Sequence, residues 1–288
     1  MLKHPPDSSH GGQIPFEVAI EASGSVGMLA AGKAGLASQG LGSRSVSAAS
    51  HGFAKLSNSD TTTPVSGAQD PWSLLPKGEN VGLKRGLRLI VHGQAGGVVP
   101  ACLRSLALQV EHCRGTSVQL EALTADQSLE AGHDPLWLVP LLLLPGSHTR
   151  NDLPLIRKRL QGQGGNIKAL PFLGAWPSWL SLVKEWMERH DDQKACQVLV
   201  HHPLRKGLAD RYLMALQQRL AVPIMSWEHW NAYASLVTRS SQPSPVPFPF
   251  ALAPNKMTET LREFGGASSL LENEVFRLGL INLLAALP

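Results

Sequence analysis

The 288-residue chain holds only three cysteines, Cys102, Cys113 and Cys196. Their separations match no metal-site spacing, and three thiols build no disulfide framework. A thiolate zinc module and a small disulfide scaffold are therefore excluded, and a reducing cytosol is the expected compartment. Long hydrophobic runs are also lacking. The two longest, Trp137–Leu144 and Val275–Pro288, fall short of the ~20 residues a spanning helix needs, and the second contains Arg277 and Asn282, so no integral membrane protein is expected. A strong charge of one sign is absent as well. Lys and Arg total 26 against 22 Asp and Glu, a net charge of +4. That balance is too mild for a nucleic-acid partner but suits an anionic small molecule. Neither G-x-G-x-x-G nor G-x-x-x-x-G-K-[ST] follows the first predicted strand, which argues against a nucleotide-binding α/β protein.

What is present fits a globular protein: 43% of residues are hydrophobic and 17% charged. The length suffices for one large domain or two of ordinary size. Residues 1–83 differ from the rest. Between Glu21 and Asp70, 27 of 50 residues are Gly, Ala or Ser, and no apolar period persists. Such a stretch buries too little apolar surface to offset the entropy of ordering it, so residues 1–83 are expected to be a disordered, low-complexity extension. Met1–Gln13 is polar and lacks the apolar segment of a secretory signal. A Ser-rich, acid-poor character leaves a plastid transit peptide open, although arginines are few.

From about Lys84 the pattern becomes that of an α/β protein. Apolar runs at Leu87–Val91, Val118–Leu123, Trp137–Leu144 and Ile167–Leu170 read as strands. Helical spacing is predicted over Val98–Val110, Asp126–Gly132, Asp152–Leu160 and Ser178–Glu188. Strands alternating with helices imply parallel pairing. The second half then repeats the first at an offset of 109 residues. Gln197–His202 falls on Arg88–Gly93, Phe248–Ala253 on Val139–Leu144, Pro254 on Pro145 and Thr258 on Thr149. The expected fold is two similar parallel-sheet α/β lobes related by internal duplication, residues 84–190 and 191–288, facing a central cleft. Ligands of open parallel sheets bind beyond the carboxyl ends of the strands.

Two of the eleven histidines stand at such ends. His92 follows a buried strand and precedes the turn Gly93-Gln94-Ala95-Gly96-Gly97. His148 lies in Pro145-Gly146-Ser147-His148-Thr149-Arg150, past the second apolar run of the same lobe. Both imidazoles are predicted to converge on one point in the cleft. A pair of neutral imidazoles can bind a first-row divalent metal or accept protons near neutral pH. Insertion of a metal into a tetrapyrrole needs both: the metal sheds water and meets the ring nitrogens while two pyrrole N–H protons leave.

The run L-I-V-H-G-Q at Leu89–Gln94, with V-P-L-L-L-L-P-G-S-H-T-R-N-D-L-P at Val139–Pro154, resembles the sirohydrochlorin chelatase family, the CbiX-like class II chelatases. The resemblance covers about Leu87–Pro288. It implies insertion of cobalt or iron (nickel in relatives) into sirohydrochlorin without ATP and without an organic cofactor, in cobalamin or siroheme biosynthesis. It also implies that His92 and His148 are the metal-handling and catalytic pair. Substrate contacts are then expected from Gly93, Gln94, Arg150 and His201, the last being the counterpart of His92 at the 109-residue offset, with His201 or its neighbour His202 facing the cleft from the second lobe. Cations to meet the carboxylates of the macrocycle are sought among Arg150, Arg157, Lys158, Arg159, Arg205 and Lys206. Tryptophans 176, 179, 186, 227 and 230 are expected mainly in packing. The chain departs from the family's pattern at Gln94–Gly97, where a Ser and then acidic or Arg residues are usual. No role is carried onto Thr124 or Asp126, where relatives place an acid after the second strand. The second lobe has Met257 at the place of His148, so a single active site in the first lobe is expected. The altered loop keeps open an alternative: a non-catalytic protein that carries metal or tetrapyrrole.

Overall fold

The computed structural model describes residues 70–75, 84–125, 129, 134–190, 197–205, 207–237 and 245–288. The helix expected over Asp126–Gly132 lies outside these residues apart from Leu129, and so do Asp126, Cys196 and Lys206. Within the stretch expected to be disordered, residues 70–75 form a turn. Trp72 Nε1 donates to Leu283 O at 2.7 Å, and its ring meets Trp176 edge-on at 4.8 Å between centroids. The remainder of 1–83, residues 1–69 and 76–83, lies outside the described residues.

The first sheet is built from β1 (Gly86–Val91), β2 (Val118–Ala122), β3 (Leu136–Pro140) and β4 (Ile167–Ala169), all parallel in the order β2-β1-β3-β4. Central β1 and β3 are buried on both faces, which is why they read as continuous apolar runs rather than alternating ones. Helix α1 (Ala101–Arg114) links β1 to β2. Pro100 precedes its first residue and Gly115, at φ 67°, ends it in the left-handed conformation that terminates many helices. Helix α2 (Leu153–Gly162) follows β3, and α3 (Pro177–Arg189) follows β4.

The second sheet holds β5 (Gln197–His201), β6 (Ile224–Ser226) and β7 (Val246–Pro249), again parallel, in the order β6-β5-β7. Helices α4 (Leu208–Leu220), α5 (Trp227–Val237) and α6 (Lys256–Glu263) accompany it, and α7 (Glu274–Ala285) is the last helix of the chain. Two parallel-sheet α/β units are therefore present, as the repeat predicts.

Two expectations need correction. The apolar run Trp137–Leu144 is a strand only to Pro140. Leu141 N makes the last bond to β1, at Ile90 O and 2.8 Å, and the next backbone bond, Gly174 N to Leu142 O at 3.0 Å, belongs to no strand pair. Leu141 and Leu143 stay apolar because they are buried in packing. The repeat also does not keep one offset. Ile90 pairs with Pro140, and Val200 pairs with Pro249. The third strands thus keep the offset of 109, whereas the first strands are related by 110. His92 corresponds to His202, and the strand residue Val91 to His201.

The apolar core runs through both units. Leu87, Leu89, Val91 and Val139 of the first sheet share one buried cluster with Leu199 and Phe248 of the second. Helix α7, the last of the chain, packs on α1 and α3. Arg114, at the end of α1, donates to Leu284 O at 2.9 Å, Leu287 O at 2.7 Å and Arg85 O at 2.7 Å. Burial lowers its pKa to about 10, which still leaves it charged at neutral pH. On the other face of the first sheet, fully buried Arg88 meets Glu121 at 3.3 Å and Gln119 at 2.7 Å, and Arg159 of α2 meets the same carboxylate at 2.6 Å. Among the described residues no helix is long and apolar enough to cross a membrane.

Candidate functional site

The carboxyl ends of β1, β3, β5 and β7 open on a cavity of about 960 Å³ with walls from both sheets. Its floor is apolar, from Leu141–Leu144 and Phe250–Ala253, and polar side chains from both units stand around it. That is the usual make-up of a small-molecule site.

His92 is the first residue past β1 and is exposed to the cavity. The turn after it is fixed by glycine. Gly93 has φ +76°, and a Cβ there would come within 2.5 Å of Thr124 Oγ1 and 2.8 Å of Ala122 Cβ. The loop is tied down further by Thr124 Oγ1 donating to Gln94 O at 2.6 Å and Gln94 N donating to Val98 O at 2.7 Å. His92 Nδ1 lies 2.8 Å from Gly93 O. A carbonyl only accepts, so Nδ1 carries the hydrogen and Nε2 keeps its lone pair.

His148 opens a π-helical turn, His148–Asp152, that runs straight into α2. Widened turns of this kind are frequent at functional sites. His148 Nδ1 lies 2.5 Å from Asp152 Oδ2. The carboxylate accepts, Nδ1 donates, and Nε2 is again the free nitrogen. The His92 and His148 rings are 4.9 Å apart between centroids and nearly perpendicular, at 82°. The two side chains, remote in sequence, thus meet at the cavity. Among the described residues no group of three or more His, Cys, Asp and Glu side chains is placed to hold an ion.

Asp152 was read in the sequence only as the start of a helix. Its spacing of four from a histidine at a helix start is the signal that marks it as a ring partner. His201, expected to touch substrate, does not line the cavity: it is 4% exposed, within β5, with Nδ1 2.7 Å from His202 O. The cause is the one-residue difference in offset, since neighbouring strand residues point to opposite faces. His202 takes the place on the cavity wall. Its ring meets Trp227 edge-on at 5.8 Å. Desolvation by the surrounding walls, and then the proximity of His92, lower its pKa from the usual 6.5, while a hydrogen bond to the Asn255 side chain opposes that shift. Burial likewise lowers His201.

Gly93, Gln94 and Arg150 line the cavity, and Arg205 and Lys256 stand on the second-unit wall. Arg157 and Lys158 are exposed on α2 away from it, and Arg159 is engaged with Glu121. Met257 is wholly buried in a second-unit cluster. Trp176, Trp179 and Trp230 are core residues, and Trp186 packs on Phe248 and Phe276.

No family model and no curated protein matches the sequence. Solved structures do. SirB from Bacillus subtilis, solved with Fe3+, matches with a TM-score of 0.52 at 16% identity, over 69% of this chain and 94% of that one. CbiX, described as the terminal enzyme for biosynthesis of siroheme in denitrifying bacteria, matches at 0.49 and 15%, over 69% and 97%. The sirohydrochlorin chelatase SirB of Bacillus subtilis subspecies spizizenii, in complex with cobalt, matches at 0.47 and 16%, over 70% and 94%. The likeness is one of fold: this chain shares the fold of SirB.

Proposed function

We propose that the chain inserts a divalent metal, cobalt or iron, into sirohydrochlorin or a related anionic tetrapyrrole without ATP. One observation carries the reading: two imidazoles from different loops of the first unit lie 4.9 Å apart at the wall of a cavity that also presents Arg150, Arg205 and Lys256. The chelatase-like fold is consistent with it. Residues 84–190 act as the catalytic lobe and 191–288 as the opposing wall.

In this reading the free Nε2 atoms of His92 and His148 take the incoming metal as water leaves it. Two side-chain nitrogens leave most of the ion's coordination positions to water and then to the macrocycle. Asp152 holds His148 in the tautomer that keeps Nε2 unprotonated, as carboxylates do for metal-binding histidines. As metal–nitrogen bonds form, two pyrrole N–H bonds break. Their protons pass to imidazole nitrogens released from the metal and on to water in the open cavity. Gly93 and Gln94 shape one edge of the cavity, and Arg150 meets a peripheral carboxylate.

The test is an anaerobic insertion assay with sirohydrochlorin and cobalt(II), iron(II) or nickel(II), followed by the absorbance of the macrocycle. His92→Ala and His148→Ala are each expected to lower the rate at least ~100-fold, the usual scale for loss of a positioned acid–base or ligand group. Wild-type rates in both variants sink the reading. A carrier role is the second reading, favoured by the small-residue turn Ala95–Gly97. Tight macrocycle binding with no insertion of any of the three metals would select it.

A further inference from the structure

Glu121 of β2 is a buried carboxylate with two guanidinium partners. Its Oε2 accepts from Arg88 Nη1 at 3.3 Å, and its Oε1 accepts from Arg159 Nη2 at 2.6 Å. Arg88 lies on β1, four residues before His92, and Arg159 lies on α2, the helix that the His148–Asp152 turn opens. One carboxylate therefore joins the two elements that carry the imidazole pair. Further along, β2 also braces the loop after His92: Leu123 N donates to Val91 O at 2.9 Å, and Thr124 Oγ1 holds Gln94 O. The apolar seat of α2 is small. Among its described residues Leu160 is fully buried, and Leu153 and Ile156 are partly so, in a cluster with Ile90 and Leu138. Apolar contact is non-directional, so it does not by itself fix how a short helix slides or rolls on a sheet. A charge-assisted hydrogen bond has a set length and direction, and here it pins α2 at one place on the sheet. The widened turn passes that placement on, because Leu153 N donates to His148 O and couples the first residue of α2 to the histidine.

We propose that the Glu121–Arg159 pair positions the metal-handling site, setting where His148 stands against His92. This rests on the reading given under Proposed function and deepens it. Neither Glu121 nor Arg159 lines the cavity, so both act through the elements they join. The two rings stand 4.9 Å apart between centroids. A metal with bonds of about 2 Å to nitrogen bridges them only over a narrow range of separations. Without the pair, α2 keeps its apolar seat but loses its fixed place. Both rings then survive, with one of them drifting out of reach of the ion.

The experiment titrates the full chain with cobalt(II) alone, reading the d–d absorbance that His148→Ala removes, and then measures kcat and KM for sirohydrochlorin. Arg159→Met is the leading variant. It keeps the alkyl stem and leaves Arg88 with Glu121, so no buried guanidinium loses its carboxylate. Cobalt(II) affinity and kcat are each expected to fall about tenfold, part of the ~100-fold that a 1 Å misplacement brings, with KM for the macrocycle within about twofold. Arg159→Lys, which keeps a charge for Glu121, is expected to regain part of both. Leu280→Ala is the structural control. It opens a cavity in α7, which packs on α1 and α3, and is expected to lower the denaturation midpoint while leaving cobalt(II) affinity within about twofold. Unchanged cobalt(II) affinity in Arg159→Met overturns the inference and leaves the proposed function standing. An equal loss of affinity in Leu280→Ala, or a raised KM at unchanged kcat in Arg159→Met, overturns it too. A wild-type chain that neither binds cobalt(II) through His148 nor inserts it would instead bring down the proposed function, and this inference with it.

Discussion

Asp152 occupies one nitrogen of His148, and so the other is the one His148 presents to the cavity. Asp152→Asn keeps the shape of the pair and removes its certainty, because the amide can offer either an acceptor or a donor to the ring. Insertion by this variant is expected to fall about 10–100-fold, the range for partners of metal-binding histidines. Stopped-flow absorbance at saturating macrocycle checks it. A second residue-scale effect concerns His201, whose folded-state pKa burial pulls below 6.5. Above 6.5 both folded and unfolded forms are neutral at this site. As pH falls through 6.5 the unfolded chain takes up the proton first, so stability declines with acidification. Urea denaturation from pH 7.5 to 5 is expected to show this loss, and His201→Phe to lessen its slope.

At the scale of elements, the link from β1 to α1 decides where His92 points. Gly93 lies in the left-handed region with Thr124 and Ala122 against it, and Pro100 then sets the helix start. Gly93→Ala is expected to cost about 1–3 kcal/mol from backbone strain, with the clash adding to it. Chemical denaturation measures this, and the insertion rate should fall with it, because the histidine and the loop share that turn. Strands β1, β2, β4 and β5 were legible from their apolar runs, and α3 from its period. The run at β3 was legible as apolar but not as to its end. Pattern reports burial, and Leu141–Leu144 are apolar in packing rather than in pairing. The cations of α2 show the same limit. Arg159 looked available for a ligand, yet it pairs with a buried carboxylate on a strand 38 residues earlier.

At the scale of the whole molecule, the two sheets share a core, and the last helix is fastened to the first unit. Arg114 is the fastening: its guanidinium donates to Leu284 O and Leu287 O at the end of α7. Arg114→Leu is expected to destabilise the fold by about 2–4 kcal/mol, the scale for charged hydrogen bonds lost with buried acceptors left open. Thermal unfolding should show the drop, and hydrogen exchange should show α7 opening first. Tyr212 of α4 reaches Leu143 O and Gly174 O, each at 2.9 Å, and joins the second unit to the loop beneath the cavity.

The sequence by itself determined the parallel α/β class, the doubling, and the two loop histidines His92 and His148, because burial on both strand faces and strand-end punctuation are written locally. Only the tertiary structure decided which histidine of the second unit reaches the cavity, that Asp152 serves His148, and that α7 belongs to the packing of the first unit. Those outcomes turn on strand register and long-range contact. A shift of one residue in pairing exchanges a buried ring for an exposed one, and no local pattern records the partner.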